Sequence, residues 1–112
     1  MIEKIILDYL NSKLSVPAYM EIPEEKNRPK RFVLLEKTSG GEENHISSAI
    51  LAIQSYAESL YEAAVLNEAV KAAMREAIVL NTVSKAKLNT DYNFTDTTKK
   101  QYRYQAVYDL VY

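Results

Sequence analysis

The spacing of hydrophobic positions changes along this chain, and the changes predict the order of its elements. Near the N-terminus apolar residues recur at three- and four-residue intervals, which gathers them on one side of a helix. This stripe is formed by Ile2, Ile5, Ile6, Tyr9, Leu10 and Leu14. Pro17 ends the helix, because a proline drives the residue before it into extended geometry. A short strand is predicted to follow over residues 18–22.

Two further apolar runs predict a hairpin. The polar segment 23–31 lies between prolines and is expected to be an exposed loop. A strand covered on both sides follows at 32–37, and the glycines of 38–41 predict a turn because they tolerate positive φ. In the next strand, 45–53, both faces are partly apolar, so it is either a central strand or presents one face to another subunit. One face carries Ile46, Ile50 and Ala52, and the other Ala49, Leu51 and Ile53.

A long Ala-rich helix is predicted next. Ser55 with Glu58 and Ser59 with Glu62 both match the S-x-x-E capping box, and Ser59 is the preferred start. The helix is expected to span about 20 residues, or roughly 30 Å. Its inward stripe comprises Ala63, Leu66, Val70, Ala73, Met74 and Ala77.

The C-terminal third predicts two more strands. The first opens at Thr82-Val83 and runs through Leu88, and a polar connection, 93–100, follows it. The last strand alternates tyrosines with other residues, which suits either a core face or an assembly surface. Its tyrosine face holds Tyr102, Tyr104, Ala106, Tyr108, Leu110 and Tyr112. The prediction is one α+β domain over 1–112, with a mixed, mostly antiparallel sheet of about 4–5 strands and the order α-β-β-β-α-β-β.

Composition fits an ordinary soluble globular protein. The 112 residues are 47% hydrophobic and 26% charged, with a formal net charge of -1. This balance calls for neither nucleic acid nor an acidic partner. The chain has no cysteine, which excludes disulfides and thiolate metal sites and favours an intracellular setting. No apolar run approaches the roughly 18 residues that a membrane helix needs, so no membrane partner is expected.

The sequence offers little for catalysis. His45 is the only histidine, and the acids beside it do not supply the three or four convergent ligands that a metal needs. Gly40-Gly41 has no following Lys-Ser/Thr, and so it is not a phosphate-binding loop. We therefore expect no catalytic residue, no cofactor and no metal, and a structural protein rather than an enzyme.

A cluster of cations in the first polar loop is the best candidate for contact with phosphates. It consists of Lys26, Arg28, Lys30 and Arg31. The simpler interpretation is a charged loop balanced by Glu24 and Glu25. In a ring, repetition would turn even this small charge into a substantial field in the lumen, through which DNA passes as cargo.

Several of these segments together resemble one known family. They are Arg28-Pro29, the run 32–35, Thr38-Ser39-Gly40-Gly41, the strand 46–53, the Ser/Glu-opened helix and Arg103-Tyr104. From about Leu14 to Tyr112 the chain resembles the tail terminator proteins of long-tailed bacteriophages, a family that includes prophage-encoded minor tail and head-tail joining proteins. Many members have a basic residue and Thr before the Gly pair, where this chain has Thr38-Ser39.

This resemblance implies a ring, hexameric when assembled, that caps the tail tube, ends its growth and forms the junction to which the head docks. Its partners would be copies of itself, the tail tube protein and a head completion protein. It would be found in the host cytoplasm during assembly and then in the virion. The candidate contact surfaces are the two polar loops and six further residues. These residues are Ile50, Leu51, Ile53, Tyr102, Tyr104 and Tyr108.

Two alternatives stay open. One is a head-side adaptor or stopper of the same joint. The other is a small nucleic-acid-binding module, because the α-β-β-β-α order is similar to that of the double-stranded-RNA-binding fold. That fold opens its second helix with cations, whereas this one has Glu58 and Glu62 beside Ser59, which would repel phosphates.

Overall fold

The structure, a computed structural model, describes residues 1–77 and 80–112. Within these residues the chain forms two α-helices, a short 3₁₀ turn and one five-stranded sheet. In chain order they are α1 (Ile2–Lys13), β1 (Ala18–Tyr19), the 3₁₀ turn (Glu25–Asn27), β2 (Phe32–Glu43), β3 (Ile46–Ala57), α2 (Leu60–Arg75), β4 (Lys85–Asn93) and β5 (Tyr102–Val111). The predicted α+β class and the order α-β-β-β-α-β-β are confirmed.

The sheet has the strand order β1-β2-β3-β5-β4. Among the described strands only β1 and β2 run parallel, and they pair Ala18 with Val33 and Tyr19 with Leu34. The other three pairings are antiparallel. β3 is therefore the central strand, one of the two alternatives that its apolar faces had left open.

Both helices pack on the same face of the sheet, which we call the covered face. Its core joins Ile6 of α1 and Val70 of α2 to Leu51, Ile53 and other inward residues of the strands. The predicted tyrosine face of β5 contributes Ala106, Tyr108 and Leu110 to this core. The hydroxyl of Tyr9 donates to the carbonyl oxygen of Ala73 at 2.6 Å, which links the two helices.

Helix α2 begins where the preferred capping box places it. Ser59 is the N-cap, and its Oγ accepts a hydrogen bond from the backbone N–H of Glu62 at 3.1 Å. The Glu62 carboxylate lies 3.3 Å from the Arg31 guanidinium. The helix has 16 residues rather than about 20. The end of the longer predicted helix, near residue 78, lies outside the described residues.

The turn of the first hairpin was predicted at the wrong place. β2 continues through 38–41 to Glu43, and the two turn residues are Asn44 and His45, with φ of 53° and 66°. Neither glycine has a positive φ. The irregularity near them is a bulge at Thr38, where β2 has one more residue than β3.

Other boundaries also differ from the prediction, and β3 continues to Ala57 rather than ending at Ile53. β1 covers two residues, so Met20 and Ile22 are exposed rather than part of a strand. β4 begins at Lys85 rather than Thr82 and continues beyond Leu88 to Asn93, because it pairs with β5 along most of that strand's length. The limits of β4 are thus set by its pairing with β5 and not by the β-branched residues Thr82 and Val83.

Candidate interaction surface

The second face of the sheet carries no helix among the described residues, and we call it the open face. At one end of the open face a row of side chains crosses four strands, and we call it the aromatic row. It consists of the aromatic residues Tyr19, Phe32, Tyr56 and the adjoining Phe94, together with Arg103. The Phe32 and Tyr56 rings stack with centroids 4.5 Å apart. The Arg103 guanidinium lies 4.4 Å from the Phe94 ring centre and 5.8 Å from that of Tyr56. Stacking and cation–π attraction therefore stabilise this end of the open face.

A chain of hydrogen bonds runs beside the aromatic row and crosses three strands. Arg103 Nη1 donates to the Tyr56 hydroxyl at 3.2 Å, and that hydroxyl donates to Gln54 Oε1 at 2.7 Å. Gln54 Nε2 donates to Gln105 Oε1 at 2.8 Å, and Gln105 Nε2 donates to the Tyr92 hydroxyl at 2.5 Å. Gln54 and Gln105 are buried, so these bonds satisfy amide groups that would otherwise destabilise the fold.

At the same end, the two polar loops border a cleft of about 730 Å³. Its lining includes the side chains of Ile22, Phe32 and Tyr102. The described cations that line it are Arg28, Lys30, Lys99 and Lys100, and the described carboxylates are Glu25 and Glu58. Glu58 is already held by Arg31 at 2.6 Å. The cleft therefore has a positive rim and suits an acidic partner.

The predicted basic cluster is divided by the fold. Arg28 and Lys30 line the cleft, whereas Arg31 pairs with Glu58 and Glu62 and so joins the loop to the start of α2. Lys26 is exposed in the 3₁₀ turn and does not line the cleft. The charges of the loop are thus only partly available to a partner.

The six candidate contact residues are divided as well. Leu51, Ile53 and Tyr108 are 0%, 0% and 3% exposed within the core of the covered face, which removes them from any contact surface of the folded chain. Ile50 is half-buried on the open face, and Tyr102 and Tyr104 are half-buried in β5. Of the six, Tyr102 alone lines the cleft.

The far end of the β2–β3 hairpin is the second distinctive surface. We define the hairpin tip as residues 41–46. All six are exposed, and they include the adjacent carboxylates Glu42 and Glu43 and the apolar side chain of Ile46, which is 56% exposed. His45 lies in this turn as an exposed side chain.

Both edges of the sheet are open within the described part of the chain. β1 pairs only with Val33 and Leu34, which leaves residues 35–43 of β2 without a described strand on their outer side. β4 forms the opposite edge. Unpaired edges carry free backbone donors and acceptors and can pair with another strand.

Sequence reasoning missed the second half of the cleft. Lys99 and Lys100 were treated only as part of a polar connection, but Asp96 and Gln101 exchange two backbone hydrogen bonds at 3.0 Å and close residues 97–100 into a tight loop. The Asp96 carboxylate also accepts from the backbone N–H groups of Thr98 and Lys99. An Asp followed by two Thr is a turn signal that could have located this loop.

The surroundings of Tyr108 and Lys71 raise the pKa of both side chains. Burial raises the pKa of the Tyr108 phenol to about 12. The Lys71 ammonium group donates hydrogen bonds to Asp91 and to Glu68, and both bonds raise the pKa of Lys71. The bond to Asp91 has the larger effect. Among residues 1–77 and 80–112, no three His, Cys, Asp or Glu side chains are grouped so that they could hold a metal ion. Nor does any helix in those ranges have the length and apolarity to cross a membrane.

A comparison with models of known protein families finds no match for this chain, and a comparison with curated protein sequences finds none either. The surfaces of the chain itself must therefore carry the functional argument.

Proposed function

We propose that this chain is a structural protein that assembles into a ring on the end of a phage tail tube, ends tube growth and forms the junction with the head. The observation that carries the proposal is the shape of the molecule. It combines two open sheet edges with a hairpin that ends in an exposed tip, in a body 44 Å long and about 25 Å across. The resemblance to tail terminators supports the same function.

The ring would close by a heterologous contact, in which one surface of a subunit meets a different surface of the next. The chain offers unlike surfaces for such a contact at the two edges of the sheet, formed by β2 and β4, and at the two ends of the β2–β3 hairpin. A closed ring leaves no free growing edge of its own, so it can occupy the end of a tube without extending it. This mechanism needs shape and contacts, and no bond is made or broken.

The experiment that tests this function is deletion of the gene in the phage or prophage that encodes it. We expect tubes of irregular length that carry no heads, as seen by negative-stain electron microscopy, because neither growth arrest nor docking can occur. Expression of the intact gene from a plasmid should restore normal particles. Particles with normal tails and attached heads after deletion would show that the proposed function is wrong.

A second measurement uses the purified chain. Sedimentation velocity and negative-stain images at rising concentration, with and without tail tubes, should show rings, either free or seated at tube ends. Tubes that remain uncapped in excess protein would contradict the proposal even if the chain associates with itself.

A further inference from the structure

We propose that the hairpin tip of one copy docks in the cleft of the next copy. This inference rests on the proposed function, because it specifies the contact by which copies of the chain associate. It assigns a partner to two exposed features that the fold itself leaves without one, the acidic tip and the positive cleft.

Charge complementarity is the first argument. Glu42 and Glu43 at the tip form no ion pair with any described residue, and the same is true of the cleft cations Arg28, Lys30, Lys99 and Lys100. The cleft has four described cations against two carboxylates, one of which Arg31 already neutralises. Two carboxylates brought against this rim would be attracted, and opposite potentials favour encounter in the correct orientation.

Apolar complementarity is the second argument. Ile46 is exposed beside the tip carboxylates, and the residues that line the cleft include Ile22, which is 46% exposed, together with Phe32 and Tyr102. Docking would bury Ile46 against these side chains, and removal of apolar surface from water stabilises the contact. The volume of about 730 Å³ lies within the range of clefts that enclose a small ligand or a few side chains.

The positions of the two features are the third argument. Phe32 and Tyr56 lie at one end of the β2–β3 hairpin and Glu43 and Ile46 at the other, as their pairing shows. Twelve residues of β3 span about 36 Å at a rise of roughly 3.3 Å per residue. The tip therefore cannot reach the cleft of its own molecule, and it remains free for a neighbour. A contact between opposite ends is heterologous, as a ring requires.

A nucleic acid fits the cleft less well than a second copy does. The cleft presents the exposed apolar side chain of Ile22, which matches Ile46 better than it matches a sugar-phosphate backbone. The chain as a whole also carries a net charge of -1.

Charge reversal tests the contact. In low salt, sedimentation velocity should show that E42K/E43K and K99E/K100E each associate with themselves about tenfold more weakly than the wild-type chain, or worse. An equimolar mixture of the two variants should associate again, because the acidic tip of one then meets the intact cleft of the other. The control for K99E/K100E is K13E/K26E, which makes the same change in net charge at two exposed lysines outside the cleft. This control should associate as the wild type does.

The possible failures are distinct. If the variants associate as strongly as the wild type, the contact lies elsewhere and this inference is wrong, while the ring function is untouched. A wild-type chain that remains monomeric at about 1 mM in low salt also overturns the inference. If K99E/K100E instead abolishes salt-dependent binding of a 20-base-pair DNA duplex and leaves self-association unchanged, the cleft is a nucleic-acid site. The gene deletion tests the proposed function independently of all three results.

Discussion

Burial changes the chemistry of the Tyr108 phenol, and this has a measurable consequence for stability. The pKa of Tyr108 is raised from 10.0 to about 12 in the folded chain. Below pH 10 the phenol is protonated in both states, so its full contribution to stability is present. Above pH 10 the unfolded chain releases the proton while the folded chain holds it, and stability falls by about 1.4 kcal/mol per pH unit until the folded group also titrates.

Y108F isolates this effect, because every other titratable group is common to both proteins. Between pH 9 and 12 the free energy of unfolding of the wild type should fall by roughly 2 kcal/mol more than that of Y108F, as urea denaturation at each pH would show. Parallel curves for the two proteins would mean that Tyr108 is better solvated than its 3% exposure indicates.

Two serines that match the same sequence motif differ in the fold, and their variants should differ in stability. S59A removes the cap of α2 and should lower the free energy of unfolding by about 1 kcal/mol. Ser55 is fully buried in β3, and its hydroxyl has no hydrogen-bond partner among the described residues. S55A should therefore leave stability unchanged or raise it. Urea denaturation compares the two variants, and an equal loss in both would contradict this assignment.

At the scale of elements, the amide pair of the open face should act as a unit. Q54L leaves the buried Gln105 carbonyl oxygen and the Tyr56 hydroxyl without their partner, so we expect a loss of roughly 1–3 kcal/mol. Q54L/Q105L removes both amides and should be less destabilised than the sum of the two single variants. A double-mutant cycle by urea denaturation measures the coupling, and strict additivity would show that the pair does not interact.

The elements were predicted best where local chemistry decides them. The Ser59 cap and the inward stripe of α2 are local signals, and both are confirmed. The first turn was misplaced because adjacent glycines are a strong turn signal, whereas Asn44-His45 is a weaker one. Asn tolerates positive φ better than most residues, and a two-residue turn with two positive φ values matches the twist of the strands it joins.

The cleft could not be predicted in the same way, because it depends on distant parts of the chain. Arg28 and Lys99 meet only when β2, β3 and β5 pair side by side. Three of the six candidate contact residues, Leu51, Ile53 and Tyr108, are buried in the core, and the sequence could not show this for a related reason. Leu51 and Ile53 were offered as one possible partner surface, but alternation along β3 does not reveal which of its two apolar faces the helices cover.

At the scale of the whole molecule, the hairpin tip should be separable from the body. Deleting residues 42, 43, 46 and 47 removes two cross-strand pairs and keeps the Asn44-His45 turn, so each remaining strand residue stays on its own face. The deletion loses two backbone hydrogen bonds between Ser47 and Tyr112, and we expect a loss below about 2 kcal/mol.

The shortened chain should retain its circular dichroism spectrum and its urea transition, while self-association measured by sedimentation should be lost. A shortened chain that fails to fold would show that the tip belongs to the cooperative unit. If the shortened chain folds and associates normally, the tip is not part of the contact between copies.

The bulge at Thr38 has a consequence for which strands can join this molecule. It interrupts the regular repeat of β2, whose outer edge is exposed, and on the inner side the Thr38 hydroxyl donates to the carbonyl oxygen of Ile50 in β3 at 3.3 Å. A regular extended peptide could follow the backbone on one side of this interruption but would lose register on the other. Pairing along the full edge requires a strand with a compensating irregularity. The edge is thus selective through backbone geometry alone, which guards an open sheet against indiscriminate aggregation.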